Sequence, residues 1–160
     1  MDGKERQHWV FRAHVADRAG ALTSIASAFS NEGISIDTVV GHGTDERTLV
    51  GGSVVLTFYC TEEEKDIMVR KIRRLSKVSA LEEHPYNSQS LRKSAIIAVT
   101  RELKPRDVAG EDSFLTCERV SNAPGWTYFL AGAPSELDQV LGRLAAEGAV
   151  KDIVYSVVGL

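Results

Sequence analysis

The sequence predicts an α+β chain built from two βαββαβ units with antiparallel sheets, the second unit lacking most of its first helix. Three observations predict it. Eight short apolar runs have the length and alternation of strands, and apolar residues recur at helical spacing between them. The second half repeats the order of the first. One interval breaks the repeat: ELKPRDVAGE, between Arg101 and Asp112, is short and holds Pro105, so it supports no more than about one helical turn. The boundaries that follow are a tail at 1–7, a first unit at 8–83, a polar linker at 84–93 and a second unit at 94–160.

Trp9, Phe11, Ala13 and Val15 alternate with Val10, Arg12, His14 and Ala16, which predicts a strand buried on one face with His14 solvated on the other. A helix follows, because Leu22, Ile25, Ala26 and Phe29 fall at i, i+3, i+4 and i+7. Gly33 ends it, and Ile34 to Val40 resumes as a strand. The start of this helix is unusual. Ala19-Gly20-Ala21 offers no side-chain oxygen, so its first turn can be capped only by Asp17, by water or by an anion. Gly20 would let a ligand approach the backbone, which makes this end a candidate carboxylate seat.

The run from Gly41 to Arg47 reads as a hairpin connection; it lacks the lysine and following helix of a phosphate loop. Thr48 to Cys60 is a third strand with Val54, Leu56, Phe58 and Cys60 on one face, and Gly51-Gly52 marks a bulge or a frayed start. Thr61 and Glu64 form a capping box ahead of a helix whose stripe is Met68, Ile72 and Leu75. The basic Arg70-Lys71-Arg73-Arg74 run is the solvated C-terminal end of that helix, where the dipole favours cations. Val78 to Glu82 is the fourth strand.

In the second half, strands are expected at Ala95 to Thr100, Phe114 to Val120, Trp126 to Ala131 and Val150 to Val158, with a turn at Asn122 to Gly125. Ser135 to Asp138 repeats the capping pattern ahead of Leu137, Val140, Leu141 and Leu144, and Gly148 ends that helix.

Composition removes several function classes. A formal net charge of −3 and aromatics that are not interleaved with Lys or Arg argue against nucleic acid as a partner. Nowhere do about eighteen apolar residues run together, and MDGKERQHWV has no apolar segment of signal length, so a cytoplasmic chain with no membrane partner is expected. Cys60 and Cys117 lie far apart in apolar runs and are expected to be buried, reduced thiols. His8, His14, His42 and His84 fall in a tail, on a strand's polar face and in two connections, with no zinc spacing and no catalytic set. No metal, no cofactor and no catalytic residue is expected.

Asp17-Arg18-Ala19-Gly20-Ala21-Leu22, placed between the first strand and first helix of a βαββαβ unit, resembles the ACT domain, a ferredoxin-like amino-acid-sensing module. Ala19-Gly20-Ala21-Leu22, Phe29-Ser30 and Gly33-Ile34-Ser35-Ile36 are similar to the AGAL, FS and G-x-N-I runs of the regulatory small subunits of acetolactate synthase. Leu130-Ala131-Gly132, Leu137-Asp138 and Val157-Val158-Gly159-Leu160 resemble the LAG, LD and VVGL of their C-terminal domain. That family has asparagine where Asp17 and Ser35 stand.

The resemblance implies a non-enzymatic regulatory subunit that binds valine, leucine or isoleucine and modulates a thiamine-diphosphate-dependent acetolactate synthase, the cofactor belonging to the catalytic large subunit. It implies a homodimer through the edge strands of the first domain, with the effector at the seam. Asp17, Ala19, Gly20, Ala21 and Leu22 of one chain would then seat the amino acid, Ser35 and Ile36 would face it from the neighbour, and His42 would lie near the end of the same strand. The alternative is a free-standing ACT sensor acting on another enzyme or a transcription factor.

Overall fold

The first strand, β1, spans Gln7–Val15 and is followed by α1 (Arg18–Asn31), β2 (Ile36–His42), β3 (Gly52–Cys60), α2 (Glu62–Arg73) and β4 (Val78–Pro85) in the computed structural model. The structure describes residues 4–16, 18–109, 114–120 and 124–160. The strands form one antiparallel sheet in the order β2-β3-β1-β4, so β2 and β4 are its edges. Both helices cover a single face, where Phe11, Phe29 and Phe58 meet edge to face, Phe58 standing 4.7 Å from each of the other rings.

The buried stripe of α1 is Ala21, Ile25 and Phe29, with Leu22 and Ala28 packed beside it. Ala26, expected in the stripe, is exposed. It lies about 100° around the helix from Ile25, and a methyl side chain has too little apolar surface to draw that flank inward. Gly33 takes φ +66°, Ile34 N–H donates to the Phe29 carbonyl at 3.0 Å and Gly33 N–H to that of Ser30 at 3.0 Å, a Schellman cap. Ile34, expected in a strand, therefore belongs to the helix cap, buried against Phe29, and β2 opens at Ile36. At α2, Glu64 N–H donates to Thr61 Oγ1 at 3.2 Å and Thr61 N–H to Glu64 Oε2 at 2.9 Å, closing the expected capping box.

The open face of this sheet differs from expectation. Val10, assigned to the polar face of β1, is fully buried. His8 and His84, assigned to a tail and a connection, stand in β1 and β4.

The second unit contains β5 (Leu91–Val99), α3 (Pro105–Val108), β6 (Thr116–Arg119), β7 (Trp126–Gly132), α4 (Pro134–Ala146) and β8 (Val150–Gly159). Its antiparallel sheet has the order β6-β7-β5-β8. The first helix is a single turn, as Pro105 and the short interval predict. Its absence leaves β6 without a cover, and Cys117, expected to be buried, is exposed. The start of α4 also departs from the sequence reading. Pro134 takes the first helical position, Ala133 is the cap residue without a side-chain bond, and Asp138 instead binds buried Lys93 on β5 at 2.6 Å. Gly148, at φ +69°, closes α4 as Gly33 closes α1.

The chain divides into Met1–Ser88 and Gln89–Leu160. β4 runs on to Pro85 and β5 opens at Leu91, so the polar stretch lends residues to both strands. Of the asparagine–glycine turn, Asn122 and Ala123 lie outside the described residues, and Gly125 has φ +67°. Among the described residues no helix is long and apolar enough to cross a membrane.

Candidate functional site

Antiparallel register gathers four chain segments at one end of the first sheet. Val15 of β1 pairs with Gly52 of β3 and with Val78 of β4, and Ser53 pairs with His42 of β2. The space at Gly52 is closed by backbone: a β-carbon there would lie 2.9 Å from the Val15 carbonyl oxygen and 3.2 Å from that of His42. Only glycine lets the three strands converge there. The first turn of α1 rises from this end. Ala16 N–H donates to the Lys77 carbonyl at 3.3 Å, which ties the β1–α1 connection to the residue before β4.

Within that turn the candidate residues divide by exposure. Ala19 is exposed, Gly20 and Leu22 are half-buried, and Ala21 is fully buried in the core, so Ala21 can offer a ligand its backbone only. The Lys77 side chain lies against Gly20 and fills the space a β-carbon would take. Thr23 and Ser24 donate back to the carbonyls of Ala19 and Gly20, at 3.2 and 3.1 Å. The result is the positive end of a helix dipole with an ammonium beside it, an arrangement suited to a carboxylate. Asp17 lies outside the described residues.

His42 closes β2 at the same end, exposed, its Nδ1 donating to the Gly43 carbonyl at 2.9 Å. Ser35 and Ile36 are elsewhere. Ile36 pairs with Phe58, so the two residues sit at the opposite end of the sheet, the length of β3 from Gly52 to Phe58 away, about 20 Å. They line a shallow pocket with Phe29, Ser30 and Gly33 at the C-terminal end of α1. One chain thus holds Ala19, Gly20, Ala21 and Leu22 at one end of the sheet, with His42 at the same end but on the open face away from the helices, and keeps Ser35 and Ile36 at the other end.

The remaining chemistry-bearing groups form networks of their own. Strand register places all four histidines on the open face of the first sheet. His8 is stacked between Tyr59 and Tyr86, with ring centroids 3.9 and 3.7 Å away, and its Nε2 is 3.5 Å from Asp37. His14, expected to be solvated, binds Glu82 at 3.0 Å; that bond, helped by Arg12, holds the Glu82 carboxyl below its ordinary range. Among the described residues no three His, Cys, Asp or Glu could share a metal ion. In the second unit Arg101, shortly before the single turn of α3, pairs with Asp107 and Glu147, each at 2.9 Å.

Lys77 is the residue that sequence reasoning missed. The signal available was topological: in a βαββαβ unit the residue before the fourth strand must lie beside the end of the first.

No family model and no curated protein matches the chain. Among solved structures, it superposes on the acetolactate synthase small subunit from Thermotoga maritima with a TM-score of 0.64 at 14% identity, covering 98% of this chain and 96% of that one. The regulatory subunit of aspartate kinase from Thermus thermophilus gives 0.48 at 12% identity, over 88% of this chain and 92% of that one, too loose a likeness to carry an argument. At these identities the likeness establishes the fold: two ferredoxin-like, ACT-type units in sequence.

Proposed function

We propose that this chain is an amino-acid-binding regulatory subunit whose effector site is completed only by a second copy. The observation that carries the reading is the separation of Ala19–Leu22 from Ser35 and Ile36 to opposite ends of a sheet whose edge strand is β2. A two-fold that pairs β2 with β2 reverses the strand. It sets Ser35 and Ile36 of the partner subunit beside His42 and the first turn of α1. The split parts then form one site at the seam.

In that site the effector carboxylate sits at the positive end of α1 near Lys77, Asp17 takes the ammonium group, and Leu22 with the partner's Ile36 walls the side chain. A small aliphatic amino acid fits these walls, which supports valine, leucine or isoleucine. The Thermotoga neighbour is by name a small subunit of acetolactate synthase. Taken with the matching sequence runs, it supports a catalytic large subunit of that enzyme as the partner, with the thiamine diphosphate chemistry residing there. No residue of this chain is assigned a catalytic role.

A second reading, a free-standing sensor of another enzyme or a transcription factor, is favoured by Asp17 and Ser35 standing where the resembled family has asparagine. Mixing the purified chain with an acetolactate synthase large subunit separates the two. A change in the large subunit's turnover that responds to added valine supports the first reading. No complex and no change in turnover, with an unrelated partner recovered from native extract, supports the second.

A further inference from the structure

We propose that the open face of the second sheet, opposite α4, is where two copies of this chain dock face to face about a two-fold axis running across the strands. This rests on the second unit alone, not on the effector reading.

Along β5, Leu91, Lys93, Ala95, Ile97 and Val99 turn toward α4 and are buried, while Arg92, Ser94, Ile96 and Ala98 turn the other way. Register extends that second set into rows. Ile96 stands between Phe129 of β7 and Val154 of β8, a row of three large apolar side chains across the middle of the sheet. Ile96 is 50% exposed and Val154 71%. The next row is small: Ser94 lies between Ala131 and Ser156, with the two hydroxyls 3.1 Å apart. The step between the rows forms a shallow depression lined by Ser94, Ile96, Phe129, Val154 and Ser156. Charges stand in three rows: Glu118 of edge strand β6 beside Phe129 at the end of the large row, Arg92 beside Val158 beyond the small row, and Asp152 beside Ala98 on the far side of the large one.

These rows choose both the occupant and the axis. A two-fold along the strands would set large row on large row and Arg92 against Arg92. A two-fold across the strands, between the large and small rows, sets each large row into the partner's small row. It also brings each Arg92 over Ala98 of the partner subunit, one strand from its Asp152. Arg92 Nη1 already donates to the carbonyls of Gln89 and Leu91, at 2.8 and 2.7 Å, which holds the guanidinium at the rim. The same arrangement sets Glu118, at the outer edge of the face, over Thr116 of the partner subunit, so shape and the Arg92 and Asp152 charges are self-complementary in one arrangement, as an isologous contact requires. The four strands, β5 of 9, β6 of 4, β7 of 7 and β8 of 10 residues, spaced about 4.8 Å apart, give a face of roughly 500 Å², so roughly 1,000 Å² is buried in total. That is at the lower end for a specific dimer, so the contact is weak and concentration-dependent.

The test is the mass of the full chain by sedimentation across a hundredfold range of micromolar concentration. Wild type is expected to associate. Val154→Lys, which would bury an unpaired charge, is expected to raise the dissociation constant by about a hundredfold or more and halve the mass wherever wild type is associated. Arg92→Asp and Asp152→Arg should each weaken association about tenfold, and the double reversal should restore it. Circular dichroism of each variant verifies folding. A monomeric wild type, or a Val154→Lys protein with wild-type mass at every concentration, overturns the proposal. A double reversal no tighter than the single ones overturns the stated axis. Loss of effector binding would leave all of these masses unchanged.

Discussion

The Lys77 side chain occupies the space that a β-carbon on Gly20 would fill, at the first turn of α1. Glycine is thus what allows an ammonium to sit at the positive end of a helix. An anion held between the two would be attracted by both. The pair is the core of the proposed carboxylate seat.

Two substitutions at Gly20 separate fold from function. Gly20→Ala requires only that the flexible end of Lys77 swing away, and alanine's helix propensity is better by up to about 1 kcal/mol, so the unfolding midpoint should hold or rise. Gly20→Asp should likewise fold, because its carboxylate can pair with Lys77, but it places that carboxylate where the effector's belongs. Calorimetric titration should find weakened effector binding for Gly20→Ala and none for Gly20→Asp, with native circular dichroism in both.

Gly33 tests the cap. Nothing lies within 4 Å of a β-carbon built there, so the cost of a side chain comes from the backbone at φ +66°. Gly33→Ala should lower stability by about 1–2 kcal/mol, and Gly33→Asn by less, because asparagine tolerates the left-handed region. Denaturant midpoints give the order. Equal losses would mean that the Schellman cap does not set the cost.

The two cysteines should differ in reactivity. Burial, with Glu64 nearby, pushes the Cys60 thiol up to about 11, whereas Cys117 is exposed on β6 with its thiol raised less, by partial burial. A thiol reagent at neutral pH should label Cys117 in the folded protein and Cys60 only after unfolding. Labelling of both at the same rate would contradict the burial of β3 behind α2.

Acid should weaken the second unit through Asp107. Hydrogen bonds from Arg101 and from the Lys104 amide hold its carboxyl well below the usual carboxylate range. The folded-state value lies below the unfolded one, so the contribution is complete above about pH 4 and is lost as pH falls through the lower value. Asp107→Asn should cost stability at neutral pH and progressively less below pH 4. A pH-independent difference between the two proteins would show that the Arg101 pair does not titrate with folding.

What could be read from the sequence was what a few neighbouring residues decide. Gly33 and Gly148 end their helices, Thr61 and Glu64 cap α2, and Pro105 limits α3 to a turn, each through contacts within about five residues. Ala26 was misassigned because a methyl group carries too weak a burial preference to define the edge of a stripe. What depended on strand register was not legible. Lys77 reaches Gly20, His8 stacks between Tyr59 and Tyr86, and Cys117 is uncovered, because of residues fifty or more positions away or a helix that is missing. The separation of Ser35 and Ile36 from the glycine turn belongs to the same class. Sequence motifs name these segments, and only the sheet shows that one chain holds them at opposite ends.

The most direct test of the central claim is thermal unfolding of the wild-type protein and of Gly20→Asp against each of the twenty amino acids at millimolar concentration. A ligand at about a hundred times its dissociation constant adds about 2.7 kcal/mol, a rise of roughly 5–10 °C for a chain of this size. The account predicts such a rise with valine, leucine or isoleucine in the wild type and none in Gly20→Asp. No rise with any amino acid, or an equal rise in both proteins, would contradict it.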